Sequence, residues 1–111
     1  MASKRIQIDA IKEHAVQLYH KLMIANVHAD VILLFGSYAR GQAHADSDID
    51  FCVVSRDYGK DPIMEGAKAN LIASKINSRI EVVTVSLNEY FERMPISPIL
   101  HEIKKTGICI L

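Results

Sequence analysis

The chain has 111 residues, half of them hydrophobic, which suffices to bury one core and is too little for two. Its 13 basic residues balance 13 acidic ones, so no net charge draws in a phosphate backbone, and composition gives no general nucleic-acid-binding signal. No uncharged apolar stretch is long enough to span a bilayer, and MASKRIQIDAIKEH meets acidic residues before any secretory core, so one soluble, cytoplasmic domain over residues 1–111 is expected.

Residues 8–27 place Ile11, Ala15, Leu18, Leu22 and Ala25 at helical spacing, with Asp9 near the start, which predicts an amphipathic first helix. DVILLF over 30–35 reads as a buried strand that stops at Gly36-Ser37. A short helix is predicted from Ser37, ended by Gly41, then an open polar loop over 42–47. DIDFCVV over 48–54 alternates carboxylates with apolar groups before turning apolar on both faces, as in a strand that opens into a cleft and runs on into the core. SRDYGKD over 55–61 reads as a solvent loop, and Pro62 opens a helix to about Ile76 with Ile63, Ala67, Leu71, Ile72 and Ile76 as its buried stripe. RIEVVTVS over 79–86 is a third strand, Leu87–Met94 and Ile96–Lys105 suggest one or two short helices broken around Pro95 and Pro98, and GICIL is a final edge strand or an apolar segment awaiting a partner. The order predicts an α/β (α+β) fold: a small mixed sheet with helices mainly on one face.

Cys52 and Cys109 lie far apart among aliphatic residues and read as buried free thiols. His14, His20 and His28 have no companion at metal-ligand spacing and read as surface or boundary residues. The informative stretch is LLFGSYARGQAHADSDIDFCVV. Residues two apart in a strand share a face, so Asp48 and Asp50 stand side by side. Like charges so close call for a cation, and hard oxygen donors suit magnesium or manganese, although acidic pairs also occur at exposed strand ends without one. Gly36-Ser37 follows a strand directly, where glycine allows close approach and the next backbone N–H groups can cradle phosphate, although such turns also occur without a ligand.

Together these residues resemble the signature of the DNA polymerase beta-like nucleotidyltransferase superfamily: Gly36, Ser37, ten residues, then Asp48, Ile49, Asp50. With Arg40-Gly41 and Ser47 the stretch is more specifically similar to the minimal nucleotidyltransferases found beside all-helical HEPN proteins as antitoxins of toxin-antitoxin pairs. The resemblance implies a polymerase beta-like core, and a third carboxylate that maps onto Glu81, the only acidic residue of the third strand, which could otherwise be a solvent-facing edge residue. It implies metal ligation by Asp48, Asp50 and Glu81, which would be the catalytic set, with a pair of magnesium ions and ATP as nucleotide substrate. Gly36 and Ser37 would bind its phosphates. Arg40 could reach phosphate or pair with a carboxylate such as Asp46, and Ser47 would cap the loop or steady Asp48. His44 reads as solvated, Tyr38 as packed beside the short helix, and Tyr58 and Lys60 carry no role.

The implied reaction is magnesium-dependent transfer of AMP from ATP to a hydroxyl on a HEPN-type partner, with self-association another source of the missing acceptor surface. A non-catalytic partner-binding subunit and transfer to a small molecule are the rival readings; the first would use GICIL and the Pro95–Pro98 segment as its interface.

Overall fold

The computed structural model describes residues 4–44, 46–92 and 97–111. Its elements are α1 (Lys4–Ile24), β1 (Val31–Phe35), α2 (Gly36–Ala39), β2 (Ile49–Ser55), α3 (Pro62–Ser74), β3 (Ile80–Ser86), α4 (Leu87–Tyr90), α5 (Pro98–Thr106) and β4 (Ile108–Cys109). The sheet order is β3-β2-β1-β4. β2 runs antiparallel to β1 and parallel to β3, and β4 is antiparallel to β1 on the other edge. The small mixed sheet is as the element order predicts, and helices pack around it.

Strand alternation divides the apolar residues between two faces. Ile32, Leu34, Ile49, Phe51, Val53, Ile80 and Val82 pack with Ile11, Ala15, Leu18 and Leu22 of α1 and with Ala69 and Ala73 of α3. Leu33, Phe35, Cys52, Val54 and Val85 pack with Leu100 and Ile103 of α5 on the other face, with Leu87 and Tyr90 of α4 beside them. The two long helices thus share one face, with Tyr38 and Ala39 of α2 packed beside them, and α4 and α5 take the second.

The first helix keeps its predicted stripe but closes early. It ends at Ile24, and Asn26 takes a positive φ of 65° that turns the chain toward β1, so Ala25 is exposed rather than core. The predicted stripe of α3 holds only at Ile72 and Ile76, which pack against the first core. Ile63 is 84% exposed and Leu71 61%, Ala67 is exposed too, and Ala69 and Ala73 are the buried residues. A helix laid closely on a sheet presents its small side chains to the strands, and here Ile72 and Ile76 flank that contact. Pro62 begins the helix as expected, with Asp61 Oδ1 accepting from the Met64 N–H at 3.3 Å.

The 55–61 segment is not all solvent loop. Ser55 closes β2 fully buried, with its hydroxyl donating to the His28 carbonyl at 2.6 Å and accepting from the Asp57 N–H at 3.0 Å. Tyr58 is buried as well. Cys52 is a buried free thiol as predicted, whereas Cys109 sits exposed on the β4 edge, because a two-residue end strand has no layer over it. Of the two predicted C-terminal helices, the stretch 93–96 lies outside the described residues. The remainder forms α4, closed by a capping box between Ser86 and Glu89, and α5, capped by Ser97.

The exposed edge of β3 is occupied by the protein's own groups. The Val82 N–H donates to Asn70 Oδ1 at 2.8 Å, and Asn70 Nδ2 donates to the Val82 carbonyl at 2.9 Å and to the Gly66 carbonyl at 2.9 Å. The amide of Asn70 therefore stands where a neighbouring strand would pair. The Ile80 N–H bonds the Asn77 carbonyl and the Ser86 N–H bonds Glu89, so this edge offers few free donors to another chain.

Candidate active-site cleft

The cleft opens where β1 ends and β2 begins. Phe35, the last residue of β1, is the register partner of Asp50, which puts the Gly36 turn directly across the ladder from that carboxylate. Gly36 is buried with φ of 74°, a backbone that L side chains rarely adopt. A Cβ built on it would overlap the Asp50 carboxylate. Turn and carboxylate are thus packed against each other, and both requirements select glycine. Gly36→Ala is expected to push Asp50 aside and to cost about 1–3 kcal/mol of stability, read as a fall in melting temperature.

A cleft of about 500 Å³ is lined by Phe35, Gly36, Ser37, Arg40, Asp46, Ser47, Asp48, Asp50, Ile99 and Glu102. Six of the seven expected site residues line it. Asp48 precedes β2 rather than belonging to it, because the strand starts at Ile49, so the alternation argument accounts for Asp50 and not for Asp48. Asp48 is exposed and Asp50 half-buried. Ser47 receives the His44 N–H on its hydroxyl at 2.7 Å, closing the loop just before Asp48.

Glu81 is the exception: it is exposed on β3 and is not part of the cleft lining. It is the parallel register partner of Asp50, however, so the two carboxylates leave neighbouring strands on the same face. Burial, then the charges of Glu81, Asp48 and Glu102, push the Asp50 carboxyl up to about 6, against the opposing pull of Arg40. Among the described residues, no group of three or more His, Cys, Asp or Glu side chains is positioned to hold a metal ion. The donor chemistry nonetheless fits a hard divalent cation: carboxylate oxygens from Asp48 and Asp50 share one cleft, their charges exceed that of the one arginine lining it, and Glu81 stands one strand away.

Arg40, the C-cap of α2, donates from Nη1 to Glu102 Oε1 at 2.6 Å, and its Nε lies 3.5 Å from Gln42 Oε1. Asp46, the other suggested partner, pairs with Arg79 at 3.1 Å. Glu102 and Ile99 were not legible as site residues. They come from α5, more than fifty residues further along the chain, and no local spacing ties them to the Gly36 turn.

The polymerase beta nucleotidyltransferase family model ("Polymerase beta, Nucleotidyltransferase") matches residues 17–111, and the chain belongs to that family. No curated protein matches it in sequence. Among solved structures, a protein of Sulfolobus solfataricus assigned by inference as a nucleotidyltransferase shares 14% identity at a TM-score of 0.64, over 98% of this chain and 87% of that one. A chain from a toxin-antitoxin structure with AMP-PNP shares 22% identity at a TM-score of 0.62, over 90% of this chain and 72% of that one. One from a tri-AMPylated HEPN toxin in complex with MNT antitoxin, from Shewanella oneidensis, shares 18% at 0.57, over 94% and 71%. At these identities the likeness is one of fold. Among the described residues no helix is long and apolar enough to cross a membrane.

Proposed function

We propose that this chain is a magnesium-dependent nucleotidyltransferase that moves AMP from ATP to a hydroxyl on a partner protein, and that the partner is a HEPN-type toxin it neutralises. The observation that carries the reading is the rung joining Phe35 to Asp50: it packs a glycine turn directly against a carboxylate that burial and neighbouring carboxylates push up to about 6. The partner assignment draws on the fold shared with chains from toxin-antitoxin structures, one of them with AMP-PNP and one with a tri-AMPylated toxin.

In this reading Gly36 and Ser37 hold the β- and γ-phosphates through backbone N–H groups and the Ser37 hydroxyl. Asp48 and Asp50 would hold the metal ions and Glu81 would complete the set from β3. Bound magnesium would supply charge neutralisation on the phosphates and on the attacking oxygen. The acceptor hydroxyl oxygen forms a bond to the α-phosphorus as the bond to pyrophosphate breaks, and the hydroxyl proton passes to a carboxylate of Asp50 or Glu81. Arg40 offsets negative charge at the phosphate side of the cleft.

A second reading, a partner-binding subunit without turnover, is favoured by one observation: Glu81 stands outside the cleft lining. Intact-mass measurement separates the two. The partner that co-purifies with this chain, incubated with magnesium and ATP, is expected to gain the mass of one or more adenylyl groups, and to gain none with Asp48→Asn plus Asp50→Asn. A stable complex with no mass gain for any nucleoside triphosphate would favour the second reading.

A further inference from the structure

Arg40 lies at the end of a four-residue helix, followed by Gly41 with φ of 71° and an open loop. A long side chain rooted there has little to fix it locally. What fixes it is remote: Glu102, 62 residues later, takes one Nη1 hydrogen at 2.6 Å, and Gln42 flanks Nε at 3.5 Å. Glu102 is itself on a firm base, because its neighbours on α5, Leu100 and Ile103, are buried in the second core. The side chains of the pair are 41% and 43% exposed, so the bridge spans the cleft mouth rather than its floor. A guanidinium has five N–H donors, and Glu102 and Gln42 engage one each, so about three remain for something in the cleft.

We propose that Glu102 is a positioning residue: it holds the Arg40 guanidinium at the cleft mouth so that its remaining donors meet the phosphates of a bound nucleoside triphosphate. This rests on the nucleotide reading of the cleft given above. A planar, pre-oriented fork loses less freedom on binding phosphate than one that must first be ordered. The alternative effect of Glu102 has the opposite sign, since its charge repels a polyphosphate. The two are separated by substitutions, because glutamine removes the charge and keeps the acceptor, whereas alanine removes both.

The probe is AMP-PNP with magnesium, titrated calorimetrically, with melting temperatures recorded for every variant. Glu102→Ala is expected to weaken binding about three- to fivefold, the scale of one exposed ion pair. Glu102→Gln should retain affinity close to that of the unaltered chain. In an Arg40→Ala background, Glu102→Ala should bring no further loss. Binding as tight or tighter in both Glu102 variants, with the unaltered chain binding, overturns the positioning role and leaves the nucleotide site intact. Equal loss in the alanine and glutamine variants, or the same loss from Glu102→Ala whether or not Arg40 is present, also overturns it. An unaltered chain that binds no magnesium-AMP-PNP overturns both this inference and the reading beneath it.

Discussion

Asp50→Asn is expected to lower adenylyl transfer on the order of 10²–10³-fold and, in the same protein, to raise the stability of the metal-free fold. The first effect follows from removing a proposed metal ligand, a loss of several kcal/mol of charge stabilisation in the transition state. The second follows from the position of Asp50 in the free protein. Burial and three neighbouring carboxylates lift it from 3.8 to about 6. Between those values the folded chain keeps a proton that the unfolded chain releases, so this group's contribution to stability falls as pH rises through that window. At neutral pH the penalty has an upper bound of about 3 kcal/mol, reduced by solvent at a half-buried site. Thermal melts in chelator from pH 4 to 8 should therefore show the Asn variant and the parent diverging as pH rises, the variant melting higher. Magnesium should narrow the gap by stabilising the parent alone. Parallel curves with no gap at pH 7 would refute the electrostatic account of the cleft.

Asn70→Leu is expected to be strongly damaging although Asn70 lies outside both the cleft and the apolar core. Its amide makes three hydrogen bonds, two of them to the backbone of Val82, and the substitution leaves the N–H and carbonyl of an otherwise finished strand without partners. At a part-buried site this should cost about 2–4 kcal/mol, seen as a fall of roughly 8–15 °C in melting temperature. The uncapped edge should also self-associate on concentration, detectable by light scattering. Asn70→Asp, which keeps the acceptor for Val82 and loses both donors, should fall between. A melting temperature unchanged by Asn70→Leu would show that water replaces the amide at no cost.

The elements with period-two or helical stripes were legible because each buries one continuous apolar side: the α1 stripe over Ile11, Ala15, Leu18 and Leu22, and the three long strands, were recovered within a few residues. α3 was misread for a physical reason. Periodicity weighs large apolar residues, while a helix resting closely on a sheet is chosen for small ones, so Ala69 and Ala73 carried the contact that Ile63 and Leu71 were expected to make. The cleft was legible where its parts are local. Gly36, Ser37, Arg40, Ser47, Asp48 and Asp50 come from one hairpin-like stretch, and their spacing brought them together. Glu81 came from the family resemblance, with a solvent-facing edge residue as its alternative, and it stands exposed outside the lining. Glu102 and Ile99 depend on where α5 lands, which is decided by Leu100 and Ile103 entering the second core and by nothing near the glycine turn.

The rung between Phe35 and Asp50 has a consequence for how such a cleft can change over time. Ladder hydrogen bonds hold the glycine turn against that carboxylate, and of the residues that join them, 42–44 and 46–47 lie outside the ladder. Loop closure costs little per added residue. Insertions or deletions there would reshape the cleft rim while the rung stays in register. On the proposed function, chemistry would then rest on strand pairing and acceptor choice on a connector free to vary in length.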